Sequence, residues 1–291
     1  MLPATVSARI VLSSLISTWV LGLLHVSAQE AKIFGSFAQA RSVSMDPQAN
    51  ILVADAGANK IQRFNPDGEL VTEIGGYGWG QLEFDQPYDV CASTGLDIFV
   101  ADYGNHRIQR FNRKLEYVAT LYTRDANDER QRFGYPGGVA VTRFGDLLLC
   151  DRENHRILKV SEFNRIERSI GGIDAGKGRV VDPRQVEVGL RDNIYVLERR
   201  RIVVFDNFGN YIRTIGSDTL HAASGFTVYE SSIFVADSLR VLEIGFEGRV
   251  LNALPVSEIV PLGVPQECVD VAASASRLVV LFPHNAVILS R

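Results

Sequence analysis

Five carboxylates in this 291-residue chain are each followed closely by a cation: Asp55 by Lys60, Asp102 by Arg107, Asp151 by Arg156, Glu198 by Arg201 and Asp237 by Arg240. A carboxylate held beside a base can move protons in general acid–base chemistry. The same pair can instead be a fixed ion pair that holds a loop. A sixth, divergent copy of the pattern separates the two roles, because there both partners disappear together, as Phe282 and Val287. An acid and a base that vanish as a unit behave like a structural pair. All five are therefore read as structural repeat pairs, and no catalytic residue is assigned.

The histidines offer the next chemistry, since imidazole is a common zinc ligand. His106 and His155 occupy equivalent places in successive units, whereas a zinc site needs them to converge with a third ligand; His221 and His284 lie in other segments. Cys91, Cys150 and Cys268 are odd in number and widely spaced, which suits neither a metal finger nor a disulfide scaffold. There is no Gly-x-Ser-x-Gly elbow, no His-Glu-x-x-His and no P-loop. The cluster Gly75-Gly76-Tyr77-Gly78-Trp79-Gly80 precedes no helix, so it lacks the dipole a phosphate cradle exploits. It reads as a loop displaying Tyr77 and Trp79. The chemistry-bearing residues thus imply no metal and no cofactor.

The elements that position these residues come from a repeat. Ile51–Asp55, Ile98–Asp102, Leu147–Asp151, Ile194–Glu198 and Ile233–Asp237 are apolar runs ending in the acids, and the acids are 47, 49, 47 and 39 residues apart. A period in the forties with four short strands per unit is the mark of a β-propeller blade. Pro87, Pro136 and Pro183 open first strands, and hairpin signals such as Asn65-Pro66-Asp67-Gly68 and Asn207-Phe208-Gly209-Asn210 follow third strands. Fourth strands end at Ile74-Gly75, Ile170-Gly171 and Ile215-Gly216. No helical periodicity of useful length intervenes. The fold class predicted is all-β: a six-bladed β-propeller of four-stranded antiparallel blades. The sixth copy stops after its third strand at Arg291, so Ala31–Gly35 is expected to supply the missing outer strand. That N-terminal strand would complete the last blade, close the ring and remove an exposed edge.

Composition sets the surroundings. Hydrophobic residues make up 46% and charged residues 22%, with a net charge of −4, so no global positive field recruits nucleic acid. Arg9 precedes an apolar stretch through Leu24, and Val26-Ser27-Ala28 offers small residues before Gln29. This reads as a cleaved secretory signal peptide over residues 1–28, followed by a single propeller over 29–291. No stable membrane span is then expected after cleavage, because the apolar stretch is short and interrupted by Ser13, Ser14, Ser17 and Thr18. The product would be secreted or periplasmic.

The units Val-Ala-Asp followed by Asn-His-Arg-Ile-Gln-Arg-Phe, with proline opening the first strand and Ile-Gly closing the last, resemble NHL repeats. The resemblance covers essentially all of residues 29–291 and is strongest in blades 2 and 3. It implies a six-bladed NHL propeller, but the family includes binding modules, RNA readers, receptor ectodomains and a lyase. The lyase's zinc histidines, at the starts of inner strands, have no counterpart here: those starts hold Arg41, Tyr88, Gly137, Arg184 and Glu267. Nor do asparagines stand there to build the calcium site of six-bladed lactonases.

Strand order places the loop between second and third strands on the same face as the blade-to-blade loops. Inner-strand starts on that face bring Arg41, Tyr88, Asp89, Arg184 and Gln185 towards one mouth. Arginine and aromatic side chains at a concave mouth suit an anionic group or a partner loop. The sequence therefore describes an exported, non-catalytic binding propeller that engages a protein, peptide or glycan through this loop-rich face. The alternative is a propeller enzyme of the lyase or lactonase class with its site at the central channel.

Overall fold

Apolar runs such as Ile98-Phe99-Val100-Ala101 are buried along their whole length, on both faces of the strand. A strand buried on both faces must lie in a sheet sandwiched between two others. A computed structural model, which describes residues 31–260 and 266–291, meets that demand with six four-stranded antiparallel sheets arranged as blades. Blade 1 runs outward from Ala40–Met45 through Ile51–Asp55 and Lys60–Phe64 to Leu70–Gly75. The inner strands of blades 2 to 6 are Pro87–Cys91, Pro136–Val141, Gln185–Val188, Ala223–Tyr229 and Asp270–Ala273. The leader expected over residues 1–28 lies outside the described residues.

The core is six seams rather than one centre. Each buried cluster draws on the facing sides of two neighbouring blades, and one of them joins blade 6 to blade 1 through Phe34, Phe64, Val279 and Ile288. The N-terminal strand closes the ring as expected. Lys32, Ile33 and Phe34 pair antiparallel with Ile288, Val287 and Ala286, and Phe34 meets Phe64 edge-on at 5.0 Å.

A bulge at the start of four inner strands decides which side chains reach the mouth. The register skips Arg41 between Ala40 and Ser42, and Tyr88 between Pro87 and Asp89, with equivalent skips in blades 3 and 5. A bulged residue leaves the alternation of the strand. Arg41 and Tyr88 are thereby aimed differently from Ser42 and Asp89.

Two alignments differ from the sequence reading in blade 6. Phe282 faces Asn285 across a two-residue hairpin, while Val287 pairs with Val280. The base position lost with the acid is therefore Asn285, because this hairpin is shorter than those of blades 1 to 3. Likewise Val269, whose amide donates to Leu281, matches Arg184, whose amide donates to Leu197; Glu267 falls before the strand. The described α-helix is the short Val256–Ile259, joined by three 3-10 turns, and no described helix is long and apolar enough to cross a membrane.

Phe34→Ala should cost about 3 kcal/mol in urea unfolding, since it empties the closing seam. Removing residues 31–35 should unpair the third strand of blade 6 and produce concentration-dependent association in light scattering.

Candidate functional site

The repeated acids stand where the second strand meets the next turn, buried beneath the loop arriving from the preceding blade. Asp102 accepts from the Asp85 amide at 2.8 Å and from Asn105 Nδ2 at 2.9 Å. Asp237 accepts from the amides of His221 and Ala222, and Asp55 from those of Ala38 and Gln39. The arginine completes the hold. Arg107 Nε donates to Asp102 at 2.7 Å while its other nitrogens donate to the carbonyls of Trp79, Gly80 and Glu83. Arg156, Arg201 and Arg240 repeat this between Asp151, Glu198 and Asp237 and the carbonyls of Arg132, Arg179 and Thr219. A planar guanidinium fork can serve a carboxylate and a carbonyl at once.

Blade 1 departs from this pattern. Lys60 lies opposite Asp55 in register, yet its ammonium pairs with Glu73 on the outer strand. A lysine offers one donor centre on a flexible stem and cannot span both partners. Asp55 is instead satisfied by three amides, so the expected Asp55–Lys60 pair does not form.

Asp89 and Gln185 lie one step inside the ring. Asp89 on blade 2 accepts from the Ser42 hydroxyl on blade 1 and from the Val139 amide on blade 3, the latter at 2.7 Å. Gln185 on blade 4 accepts from the Phe226 amide on blade 5 and donates to Asp270 of blade 6 at 3.4 Å. Asp270 in turn accepts from the Val43 amide on blade 1. These side chains lace the inner strands together around a channel. Its cavity, about 480 Å³, is lined by Asp89, Gln185 and Glu187 and continues to Asp46 and Ser276 on the face opposite the mouth. Burial pushes the Asp89 carboxyl up to about 6, against the pull of its hydrogen bonds. Burial and mutual repulsion raise Glu187 and Asp270 well above the ordinary carboxylate range. Burial also drives Cys91 to about 11 and Cys268 to about 12, so neither is a ready nucleophile.

The mouth on the loop-rich face gathers a different set. The guanidiniums of Arg41 and Arg152 lie 5.4 and 5.5 Å from the Tyr88 ring centroid. Tyr88 stacks on Tyr103, Tyr103 meets Tyr135, each at 5.1 Å, and Tyr135 meets the His106 ring at 4.2 Å. Arg184 joins through Asp182, which also holds Arg152. The structure therefore brings together Arg41, Tyr88 and, by way of Asp182 and Arg152, Arg184. Tyr77 and Trp79 sit on the blade 1–2 loop with other contacts. Tyr77 is 76% exposed, and Trp79 lies under Arg107 and against Tyr122. Tyr103, Tyr135, Arg152 and Asp182 went unread in the sequence, as did Glu187 and Asp270 in the channel. Tyr103 and Arg152 each directly follow a repeat acid, and that shared place is the signal by which they could be found. Among the described residues, no three His, Cys, Asp or Glu side chains are arranged to hold a metal ion.

Residues 84–111 and 133–160, within blades 2 and 3, match the NHL repeat family model. Over 134 residues, 44% of this chain, the sequence is 28% identical to protein brain tumor of Drosophila melanogaster, and the match spans 13% of that protein's length. A gluconolactonase from Xanthomonas campestris superposes with a TM-score of 0.71 at 13% identity, over 94% of each chain. A streptogramin B lyase does so with a TM-score of 0.65 at 11% identity, over 90% of this chain and 98% of its own. A catalytically inactive virginiamycin B lyase from Staphylococcus aureus, with quinupristin, gives 0.59 at 14% identity, over 87% of this chain and 82% of its own. At such identities the structural likeness shows a shared fold. Two segments of the chain match the NHL repeat, and they stand in a six-bladed ring.

Asp102→Ala strands a buried guanidinium and should cost about 3–5 kcal/mol in urea unfolding, whereas Lys60→Ala removes a surface pair and should cost less than about 1 kcal/mol. The stability held by protonated Asp89 is full below the ordinary value of 3.8 and is lost as pH rises through about 6. Unfolding free energies measured across that window should fall with rising pH, and Asp89→Asn should flatten the slope.

Proposed function

We propose that this NHL-repeat propeller is an exported, non-catalytic binding module that engages a protein or peptide through its loop-rich face. The observation that supports it most is the continuous row of Tyr88, Tyr103 and Tyr135 flanked by Arg41 and Arg152. Tyrosine and arginine dominate the energetics of protein interfaces, because each combines large apolar contact with directed polar groups. NHL propellers are commonly protein-interaction domains. The clamped loops supply the rigid frame on which such side chains give specificity. Export rests on the leader pattern from Arg9 to Ala28.

A second reading is an enzyme with its site in the channel, favoured by one observation. Asp89 and Asp270 are buried and Glu187 is half-buried, all three carboxyls have raised pKa values, and Asp89 and Glu187 line the cavity. Perturbed carboxylates in a cavity are a common mark of catalysis. The clustered carboxylates are also explained by the bonds that Asp89 and Asp270 make between blades.

Affinity capture from the native envelope or medium, followed by titration of the captured protein, tests the two readings. Tyr88→Ala and Tyr103→Ala should each weaken binding by about 2 kcal/mol, with Phe144→Ala on the opposite face as the neutral comparison. Loss of capture with Phe144→Ala alone would place the site on the wrong face. A turnover abolished by Glu187→Gln, in a protein that still folds, would establish the enzyme reading instead.

A further inference from the structure

The mouth carries an unbalanced charge. Asp182 accepts Arg152 Nη2 on one oxygen and Arg184 Nε on the other, both at 2.8 Å. Among the described residues Arg41 has no hydrogen bond or ion pair, and the remaining nitrogens of Arg152 and Arg184 have no acceptor. The cluster thus holds three guanidiniums against one carboxylate. The hydroxyls of Tyr88 and Tyr103 also find no partner among the described residues. Arg152 and Arg184 are partly buried and Arg41 is exposed; partly buried cations with open donor edges attract an anion strongly, because water screens them poorly.

The chain makes room for this arrangement. A Cβ on Gly137, at the start of the blade 3 inner strand, would stand 2.4 Å from Arg152 Cδ and 3.1 Å from the Arg184 carbonyl oxygen. The absence of a side chain there lets Arg152 cross the strand start and reach both Tyr88 and Asp182.

We propose that this mouth recognises an acidic peptide segment, an inference that rests on the loop-rich face being a protein- or peptide-binding surface. A carboxylate of the ligand takes the open edges of Arg41, Arg152 and Arg184, and a neighbouring apolar side chain lies along the tyrosine row. Asp182 is the chain's own occupant of the site. It orients two guanidiniums and subtracts one positive charge, which sets the affinity. A peptide carboxylate suits the planar guanidinium fork. A nucleic acid suits the site less, because Tyr88 and Tyr103 stack on each other at 5.1 Å and leave no gap for a base between them.

The test is selection of a random dodecapeptide phage library on the full chain, with anisotropy titration of the leading peptides. Selected sequences should be rich in Asp or Glu beside apolar residues. Arg152→Gln should weaken them about tenfold, and Asp182→Asn should strengthen them about threefold by releasing charge. Gly137→Ala, which adds only a methyl beside Arg152, should reproduce the Arg152→Gln loss; circular dichroism checks that each variant is folded. Neutral or basic winners that depend on Tyr103 would overturn the acidic assignment while leaving the binding face intact. No enrichment on the wild-type chain would overturn both. Single-stranded RNA that displaces the peptides at lower concentration than they bind would overturn the peptide class. Weaker binding by Asp182→Asn would overturn the role given to Asp182.

Discussion

A buried carboxylate at the end of the second strand in blades 1 to 5, tied to the amides of the incoming loop, is the contact on which this ring depends. Loops between blades expose backbone N–H and C=O groups where strand pairing has ended, and such groups cannot stay unpaired once covered. The acid takes the amides and the arginine takes the carbonyls, so one ion pair satisfies both kinds of group. Burying Asp102 costs desolvation, visible in its raised pKa despite Asn105, the Asp85 amide and Arg107. Three converging donors make that burial tolerable. Blade 6 solves the same corner without charge. Phe282 is fully buried there and Ser238 accepts from the Cys268 amide.

The inner ring uses the opposite economy. Six strands meeting at a centre have little room, and Gly225 shows it: a Cβ there would stand 2.2 Å from an Asp270 oxygen. Side chains from alternate blades therefore fill the centre and bond to their neighbours' amides. Gathering Asp89, Glu187 and Asp270 near one another opposes their ionisation, so the channel holds protons well above the pH at which free carboxylates release them. The two ends of the ring consequently differ in chemistry, with carboxyls of raised pKa clustered in the channel and open guanidiniums at the loop-rich mouth.

Much of this was legible in the residues. The apolar runs and their spacing specify blades because a strand buried on both faces has no polar alternation to hide, and the orphan Lys32–Phe34 strand follows from counting. The loop-clamping role of Asp102 follows from the joint loss of acid and base in blade 6. What stayed hidden was direction. Asp89 and Gln185 read as mouth residues because they follow Tyr88 and Arg184, but the bulge at Tyr88 turns neighbours to different sides. Arg184 read as an open anchor, and its bond to Asp182 depends on a loop conformation that no periodicity encodes. Lys60 read as the partner of Asp55, and only the nearby Glu73 on the next strand draws it away.

Amide hydrogen exchange measures the clamp most directly. In Arg156→Met the fork that joins Asp151 to the Arg132 carbonyl is gone, while the apolar stem remains. Amides at Phe133, Gly134 and Tyr135 should exchange at least about tenfold faster, with the strands of blade 3 still protected, as expected for local opening. Unchanged exchange at Gly134 and Tyr135 would contradict the clamp. So would loss of protection across the whole blade, since that would show the pair holding the sheet rather than the loop.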